Sequence, residues 1–247
     1  MQGILVVGSY NAGLTVSGPR LPVPGETVVA DSFAAGLGGK GANQAIGARR
    51  LGADVAFIAK LGDDVFGREA RVTLLAEGLP EWGLLPGKAP TGVAFILVDA
   101  AAENMIAIAP GANLDLSTDD VISLSAAAAD SAIVMLQLEC EAALATGVAT
   151  WARASGKRVM LNPAPARDLS TVQLALFDII TPNELELRAL ATFNGCTGDS
   201  PKMQAKALVS AGVPNVIVTM GRNGALWVSA EGVQSFPAYP VQAAGRH

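Results

Sequence analysis

Short apolar runs that end in a polar residue or a glycine alternate with helical stretches along most of this chain, and this alternation limits the possible folds more than any other feature. The runs at residues 4–8, 55–59, 133–138 and 216–219 show the pattern. Parallel strands buried on both faces have continuous apolar sequences, and the helices between them cover the two faces of the sheet. The sequence therefore predicts a three-layer α/β fold with a central, mostly parallel sheet.

The remaining elements of this main body follow from helical periodicity and from turn residues. Ser117 precedes two aspartates and is typical of a helix N-cap. Helices are predicted at residues 42–51, 66–75, 121–129, 141–155 and 202–211, and further strands at 159–161 and 178–181. No internal repeat or long linker interrupts them, so residues 1–247 are expected to form one α/β domain.

Two other segments are β-like and lack helical periodicity. Residues 14–35 contain short strands at 14–16 and 26–30 around several prolines, and residues 91–98 and 104–109 form a predicted hairpin. Together the segments at about 14–35 and 91–109 suggest a small β-sheet that projects from the main body. Such a sheet is a lid over a site, a dimerisation surface, or both.

A glycine-rich stretch at residues 36–45 is the strongest candidate for a binding loop. Gly38 and Gly39 leave backbone N–H groups bare, Lys40 and Asn43 add polar contacts, and the predicted helix starts directly afterwards. The alternative is a plain connector, because glycine turns before helices are common in α/β proteins. The stretch matches neither the P-loop nor the dinucleotide-binding fingerprint.

Polar residues or glycines follow nearly every predicted strand, and the carboxyl ends of parallel strands meet at one edge of a sheet. Asn11 is the first of them, and it is either a ligand contact or a turn residue. Amides, carboxylates and glycines suit hydroxyl groups, phosphates and hydrated Mg²⁺. The residues concerned are Asn11, Asp63, Glu139, Asn162, Asn183, Glu186, Thr219 and Gly221.

Composition excludes several classes of protein. The chain has 247 residues and a net charge of -5 without a basic stretch, which argues against nucleic acid as a partner. No apolar run approaches the roughly 20 residues needed to cross a membrane, and no signal sequence precedes the first strand, so a cytoplasmic location is expected. His247 is the only histidine and the two cysteines, Cys140 and Cys196, are far apart, so acid-base chemistry is expected from carboxylates.

A series of short motifs in a fixed order resembles one known family. They are Gly8-Ser9-Tyr10-Asn11, Pro24-Gly25-Glu26-Thr27, Gly38-Gly39-Lys40-Gly41-Ala42-Asn43-Gln44-Ala45, Leu61-Gly62-Asp63-Asp64, Thr91-Gly92-Val93-Ala94, Gly111-Ala112-Asn113, Gln137-Leu138-Glu139, Leu161-Asn162-Pro163-Ala164-Pro165-Ala166, Thr181-Pro182-Asn183-Glu184 and Thr219-Met220-Gly221. In this combination the chain resembles the ribokinase branch of the phosphofructokinase B family of carbohydrate kinases. The resemblance covers essentially the whole chain.

The resemblance implies transfer of the ATP γ-phosphate to the primary hydroxyl of a pentose, with ribose giving ribose 5-phosphate. It implies that Glu139 faces the sugar, although a carboxylate at a helix N-terminus explains that residue too. The small sheet would be the lid that joins two subunits of a homodimer. The implied sugar contacts are Asn11, Gly13, Gly38, Gly39, Lys40, Asn43 and Glu139; the nucleotide contacts are Asn183, Thr219, Gly221, Arg222 and Gly224; and Glu186 is placed near Mg²⁺.

Two departures from the family pattern affect the expected activity. Gly13 replaces an aspartate that grips sugar hydroxyls, which leaves room for another pentose, a deoxy sugar or a nucleoside. A strand is expected at residues 236–241, but residues 244–247 do not match the glycine-rich segment that follows it in the family. The general-base aspartate, the anion hole and most of the K⁺ loop are therefore expected beyond His247. The expectation is a kinase chain truncated or frameshifted near Ala243. Its alternative is an inactive sugar- or nucleotide-binding remnant, and a dehydrogenase is disfavoured because the dinucleotide fingerprint is absent.

Overall fold

The computed structural model of the chain describes residues 3–165, 173–195 and 198–240, which form thirteen strands and six α-helices. The strands are β1 (Gly3–Val7), β2 (Asn11–Ser17), β3 (Ser32–Gly38), β4 (Val55–Leu61), β5 (Leu84–Pro86), β6 (Val93–Val98), β7 (Asn104–Ala109), β8 (Ser131–Leu136), β9 (Arg158–Leu161), β10 (Ile179–Ile180), β11 (Asn215–Thr219), β12 (Ala225–Ser229) and β13 (Gly232–Phe236). The helices are α1 (Lys40–Arg50), α2 (Val65–Ala76), α3 (Thr118–Ser123), α4 (Ala142–Ala154), α5 (Glu184–Phe193) and α6 (Pro201–Ser210).

Nine strands form the large sheet, in the order β13-β12-β11-β10-β9-β8-β1-β4-β5. The pairs from β11 to β5 are all parallel, whereas β12 and β13 are added to one edge as an antiparallel hairpin. This confirms the predicted mostly parallel sheet. The hairpin follows from chain geometry, because strands joined by a two-residue turn can pair only in the antiparallel sense.

Alternate residues of β1 pack into different hydrophobic layers, which shows that helices lie on both faces of the sheet. Leu5 and Val7 belong to the cluster that contains the buried side chains of α4, α5 and α6. Val6 belongs to the other cluster, which contains Ala45 of α1 and Leu74 of α2. Because successive strand residues point to opposite faces, the main body has three layers, as predicted.

One face of the sheet is less covered at β9–β12 than elsewhere. On the face packed against α4, α5 and α6, these strands contribute fully buried residues such as Val216 and Val228. Met160, Ile179 and Trp227, whose side chains lie on the other face of the sheet, are only half-buried. These apolar side chains are therefore partly accessible on that face of the sheet.

Polar residues fix several helix starts. Asp64 caps α2 by accepting a hydrogen bond from the Gly67 N–H, and Ser117 caps α3 within a capping box. The predicted cap at Ser117 is therefore confirmed. The helix predicted at 121–129 is shorter than expected, since α3 ends at Ser123 and turns follow.

Four strands form the small sheet, in the order β3-β2-β6-β7, so the predicted hairpin does pair with the early strands. The strand predicted at 26–30 is wrong: these residues form a loop in which the Glu26 carboxylate binds the Arg20 guanidinium and the Val23 N–H. The strand is β3 instead, which pairs with β2 from Ser17↔Ser32 to Asn11↔Gly38. The first three residues of the predicted glycine loop, 36–38, therefore belong to a strand, and residues 40–45 belong to α1.

The end of the chain differs from the prediction. A strand was predicted at 236–241, but β13 already ends at Phe236 and residues 237–240 are not in a strand. Residues 241–247, with the departure from the family pattern, lie outside the described residues, as do Ala166 and Cys196. In the described ranges we find no helix with the length and hydrophobicity to span a membrane.

Candidate functional site

Residues that follow five neighbouring parallel strands meet at one edge of the large sheet. In spatial order they are Thr219 at the end of β11, Asn183 after β10, Asn162 after β9, Glu139 after β8 and Asn11 after β1. Neighbouring strands lie about 4.8 Å apart, so β8, which precedes Glu139, and β11, which ends at Thr219, are separated by about 14 Å along the edge. The edge therefore has one end near Asn11 and Glu139 and another near Asn183 and Thr219.

A cleft of about 570 Å³ lies between the first of these ends and the small sheet. All seven residues predicted to contact a sugar line it, namely Asn11, Gly13, Gly38, Gly39, Lys40, Asn43 and Glu139. Side chains of the small sheet, including Ile96, Ile106 and Ile108, form an apolar wall. The cleft thus combines a polar floor with an apolar cover, as small-molecule sites commonly do.

The Glu139 carboxylate is held through one of its two oxygens. Its Oε2 accepts hydrogen bonds from the Ser9 hydroxyl at 2.5 Å, the Lys40 backbone N–H at 2.9 Å and the Asn11 amide at 3.5 Å. Within the described chain, Oε1 accepts no hydrogen bond. The carboxylate is therefore fixed in orientation while one oxygen remains available to a ligand hydroxyl.

The start of α1 does not offer its N–H groups to a ligand, contrary to the sequence interpretation. The N–H of Lys40 donates to Glu139, the N–H of Gly41 donates to the Ser9 hydroxyl, and the N–H of Ala42 donates to the Ser9 carbonyl. These donors are satisfied by the protein itself. The Lys40 ammonium, by contrast, has no carboxylate partner among the described residues and lines the cleft.

The glycines are required because two backbone segments cross closely. A Cβ on Gly39, whose φ is +88°, would lie 2.8 Å from the Asn11 nitrogen, and a Cβ on Gly41 would lie 2.6 Å from the Ser9 nitrogen. Both distances are too short for a real side chain. The glycines therefore bring residues 38–41 against residues 8–11, which places the polar groups of both segments in one cleft.

At the other end of the edge, Asn183 and Glu186 form a reciprocal cap on α5. The Asn183 Oδ1 accepts from the Glu186 N–H at 2.9 Å, and the Glu186 Oε2 accepts from the Asn183 N–H at 2.9 Å. Asn183 therefore precedes the helix, and Glu186 lies in its first turn. Asn183 also pairs with Thr219 in a parallel bridge, so the two strand ends are joined.

The glycines at the end of β11 form a tight turn. Residues 221–223 are one turn of 3₁₀-helix, and Gly224 closes it with a φ of +85° and a hydrogen bond from the Met220 N–H to its carbonyl. Arg222 is exposed at this turn. Thr219, Gly221, Arg222 and Gly224, which were predicted to contact a nucleotide, thus lie within one turn next to Asn183.

Asn162 lies between the two ends of the edge and carries a buried amide oxygen without a partner. Its Oδ1 is one of two buried side-chain atoms of the described chain that accept no hydrogen bond, the other being Oε1 of Gln137. An unpaired buried acceptor is costly, so such an atom is commonly satisfied by a ligand or by water. No group of three metal-binding side chains occurs within the described ranges.

The remaining acidic residues and the tyrosine near the cleft have other roles. Burial alone would raise the pKa of Asp64, but hydrogen bonds from the backbone of Thr91 and Gly67 and from the Thr91 hydroxyl outweigh it, so its pKa lies below the ordinary value. Asp63 is fully exposed beside Arg68. Burial, followed by the negative charges of Glu69 and Asp64, raises the pKa of Tyr10 to about 12.

Sequence reasoning missed the residues that lie behind the cleft. Ser9 and Asn113 are fully buried and bind Glu139 and Asn11 respectively. Both occur in motifs recognised in the sequence, and their polar character at the end of an apolar run was the available signal. Their role depends on which chain segments cross, and local sequence does not contain that information.

Comparison with known proteins gives a consistent result. The model of the pfkB family carbohydrate kinases matches residues 1–244. The chain is 38% identical to a ribokinase of Haemophilus influenzae, and the alignment covers 93% of this chain and 75% of that protein. It is 36% identical to a deoxyribokinase of Salmonella typhi, and the alignment covers 97% of this chain and 79% of that protein. A solved structure of Arabidopsis thaliana ribokinase complexed with ribose and ATP aligns with a TM-score of 0.83 and 28% identity, covering 97% of this chain and 78% of that one.

Proposed function

The chain belongs to the pfkB family of carbohydrate kinases, and we propose that within this family it is a pentose kinase whose substrate is ribose, converted to ribose 5-phosphate. The observation that carries the proposal is the cleft in which Asn11, Lys40 and Asn43 meet a Glu139 carboxylate with one open oxygen. Sugar hydroxyls both donate and accept hydrogen bonds. The cleft supplies donors and an acceptor for them within one small volume.

In this proposal each polar group of the cleft has a defined task. Glu139 accepts a hydrogen bond from a sugar hydroxyl through Oε1, and the Lys40 ammonium and the Asn11 amide donate to sugar oxygens. The three donors that bind Oε2 keep the carboxylate in place, so little ordering is needed when the sugar binds. The isoleucines of the small sheet cover the sugar and exclude water.

ATP would bind at the other end of the edge. Thr219, Gly221, Arg222 and Gly224 would contact the nucleotide, and Asn183 its phosphates. Mg²⁺ prefers oxygen ligands, keeps several waters and, when bound, neutralises phosphate charge. The Glu186 carboxylate and the unpaired Asn162 oxygen fit such an ion or its waters. The separation of about 14 Å along the edge leaves room for the phosphates between sugar and nucleotide.

We further propose that the small sheet is a lid and also the contact between two subunits. Large apolar side chains of this sheet are exposed, including Phe33 at 66%, Phe95 at 53% and Met105 at 54%. Exposed apolar patches of this kind mark interaction surfaces. The molar mass in solution, measured by light scattering, tests this part: Phe95→Glu should convert a dimer into a monomer.

A second candidate function is sugar binding without turnover by the 247-residue chain. Among the described residues that line the cleft, Glu139 is the only carboxylate, and three donors already hold it. The Asp64 carboxylate accepts hydrogen bonds from Thr91 and Gly67. Among the described residues, Asp63 binds only Arg68. Within the part of the chain that the structure describes, no group is thus placed as a general base, and without one phosphoryl transfer would be slower by several orders of magnitude.

Two measurements on the same protein test both candidates. Ribose binding is measured by isothermal titration, and ribose-dependent ADP release is measured with ATP and Mg²⁺ for the 247-residue chain and for a chain extended with the family's C-terminal segment. Turnover by the extended chain supports the pentose kinase. Ribose binding without turnover by the shorter chain supports the second candidate, and absence of ribose binding in both chains contradicts the proposed site.

A matched pair of variants makes the test specific for the cleft. Glu139→Gln leaves one oxygen for the three donors behind the cleft and puts an NH2 group in place of the open carboxylate oxygen. It should weaken ribose binding by about tenfold or more, since a hydrogen bond to a charged group contributes about 1.5–3 kcal/mol. Glu141→Gln makes the same change two residues away, where the exposed side chain caps nothing. It should bind ribose like the unchanged protein.

A further inference from the structure

Asn113 lies behind the cleft and connects the backbone of Tyr10, in the segment between β1 and β2, to the Asn11 side chain. It is 1% exposed. Its Oδ1 accepts from the Tyr10 N–H at 2.9 Å, and its Nδ2 donates to the Tyr10 carbonyl at 2.8 Å and to the Asn11 Oδ1 at 2.9 Å. Every hydrogen-bonding direction of this amide except one acceptor position is therefore used.

The Tyr10 backbone determines which way both amides point. A backbone N–H can only donate and a carbonyl can only accept, so the Asn113 amide has one possible orientation. Its second N–H then faces Asn11, which must present its oxygen to it. The Asn11 nitrogen consequently points in the other direction, where it lies 3.5 Å from the Glu139 Oε2.

We propose that Asn113 is a positioning residue that fixes Asn11 as a hydrogen-bond donor in the cleft. The inference rests on the proposed function in one respect, namely that the ligand is a pentose. Gly92 closes the space around the two amides, since a Cβ on it would lie 2.3 Å from the Asn11 Oδ1 and 2.4 Å from the Asn113 Nδ2. A side chain at position 92 would therefore collide with both amides, so the contact between them requires glycine there.

Without the Asn113 donor, only the 3.5 Å contact of its nitrogen to the Glu139 Oε2 orients the Asn11 amide. If Asn11 turned its oxygen towards the cleft, that oxygen would face the Glu139 carboxylate, and two acceptors would then meet with no hydrogen between them. A sugar oxygen that needs a donor from Asn11 would also lose it. Asn113 thus acts on the ligand through Asn11, without contacting the cleft.

The test reverses the polarity of Asn113 with little change in shape. Asn113→Asp keeps the acceptor for the Tyr10 N–H but removes both donated hydrogen bonds. We expect ribose affinity, measured by isothermal titration well below the melting temperature, to fall about tenfold or more. The matched control is Asn215→Asp at the opposite end of β11, where the amide bonds the Asp178 carbonyl and Trp227. Its ribose affinity should stay within twofold, and an equally small change in Asn113→Asp overturns the inference.

A pH series separates positioning from a merely structural role. A buried, unpaired carboxyl titrates above its ordinary pKa, and its protonated form can donate again. At each pH, the ribose affinity of Asn113→Asp is divided by that of the unchanged protein. This ratio should therefore rise towards one as the pH falls from about 8 to about 5. A ratio that stays low across this range contradicts the inference. Asn113→Ala introduces no charge and replaces Asn113→Asp if that variant does not fold; it should also lose about tenfold.

A measurement without sugar keeps this inference separate from the proposed function. If the unchanged protein binds no ribose, the proposed function fails. The inference is then tested by the side-chain amide signal of Asn11 in ¹⁵N-edited NMR spectra. A shifted signal and faster exchange of the amide protons with water in Asn113→Ala support the positioning role, and an unchanged signal overturns it.

Discussion

Replacing Asp64 with alanine should lower the melting temperature of the protein by roughly 6–12 °C, although Asp64 contacts no proposed ligand. Its Oδ1 accepts from the Gly67 N–H at 2.8 Å and the Thr91 hydroxyl at 2.8 Å, and its Oδ2 accepts from the Thr91 N–H at 2.7 Å. The side chain thereby joins the start of α2 to the segment that leads into β6. Thr91 is only 3% exposed, so its N–H would lose its partner in a buried position.

The magnitude follows from these three bonds. A helix N-cap contributes about 1 kcal/mol, and hydrogen bonds to a charged group contribute about 1.5–3 kcal/mol. Half-exposure of the carboxylate reduces the electrostatic part, so we take about 3 kcal/mol for the whole side chain. For a protein of this size each 1 kcal/mol shifts the melting temperature by about 2–4 °C.

The pH dependence has a definite sign. The pKa of Asp64 is lower in the folded protein than its ordinary value of 3.8, so the charged form is stabilised by folding. Its contribution is complete above that ordinary value and is lost as the pH falls through the folded pKa. The difference in melting temperature between the unchanged protein and Asp64→Ala should therefore be constant near neutral pH and shrink in acid.

Circular dichroism melts of two neighbouring variants test the reasoning. Asp63→Ala removes a fully exposed carboxylate whose one ionic contact in the described chain is to Arg68 at 3.4 Å, and it should shift the melting temperature by less than about 1 °C. A shift below about 2 °C for Asp64→Ala, or equal shifts for both variants, would refute the assigned role of the three hydrogen bonds.

Three further predictions concern the cleft. Gly39→Ala should lower the melting temperature by more than about 5 °C in the same melts, because its Cβ meets the Asn11 nitrogen at 2.8 Å and φ is +88°; an unchanged value would mean that the crossing segments can move apart. Lys40→Met should weaken ribose binding by about tenfold in isothermal titration, since the ammonium is an unpaired donor there; equal affinity would remove Lys40 from the site. Gly13→Asp should strengthen ribose binding by about tenfold, because its Cβ meets only the Gly36 carbonyl at 3.5 Å and the added carboxylate supplies an acceptor; weaker binding would show that this position tolerates no acceptor.

The large sheet could be predicted from sequence because its signals are local. The run Ile4-Leu5-Val6-Val7 is apolar on both faces, and β1 forms there and is buried on both faces. Ser117 followed by two aspartates is a capping pattern, and the structure has the capping box there. Such features depend on a few adjacent residues, so they can be recognised before any tertiary contact is known.

The small sheet shows why other features could not be predicted. Residues 26–30 have a high β-propensity, yet they form a loop, in which the Glu26 carboxylate binds Arg20 and the Val23 N–H, because the pairing edge of β2 is taken by residues 32–38. Strand β3 contains glycines and alanines with low β-propensity and forms because β2 provides a complete pairing partner. The orientation of Asn11 likewise depends on Asn113, more than a hundred residues away. Tertiary contacts decide these cases.

Asn11 connects the two sheets, so the affinity for a ligand that it holds is thermodynamically coupled to the angle between the sheets. It follows β1 of the large sheet by a short turn and is the first residue of β2, where it pairs with Gly38. The strand then runs to Ser17, about 20 Å away at about 3.4 Å per residue. A ligand held by Asn11, Gly38 and Glu139 therefore favours one angle between the sheets. By reciprocity, anything that favours this angle from the distant end, including a second subunit, must raise the affinity for the sugar by the same factor.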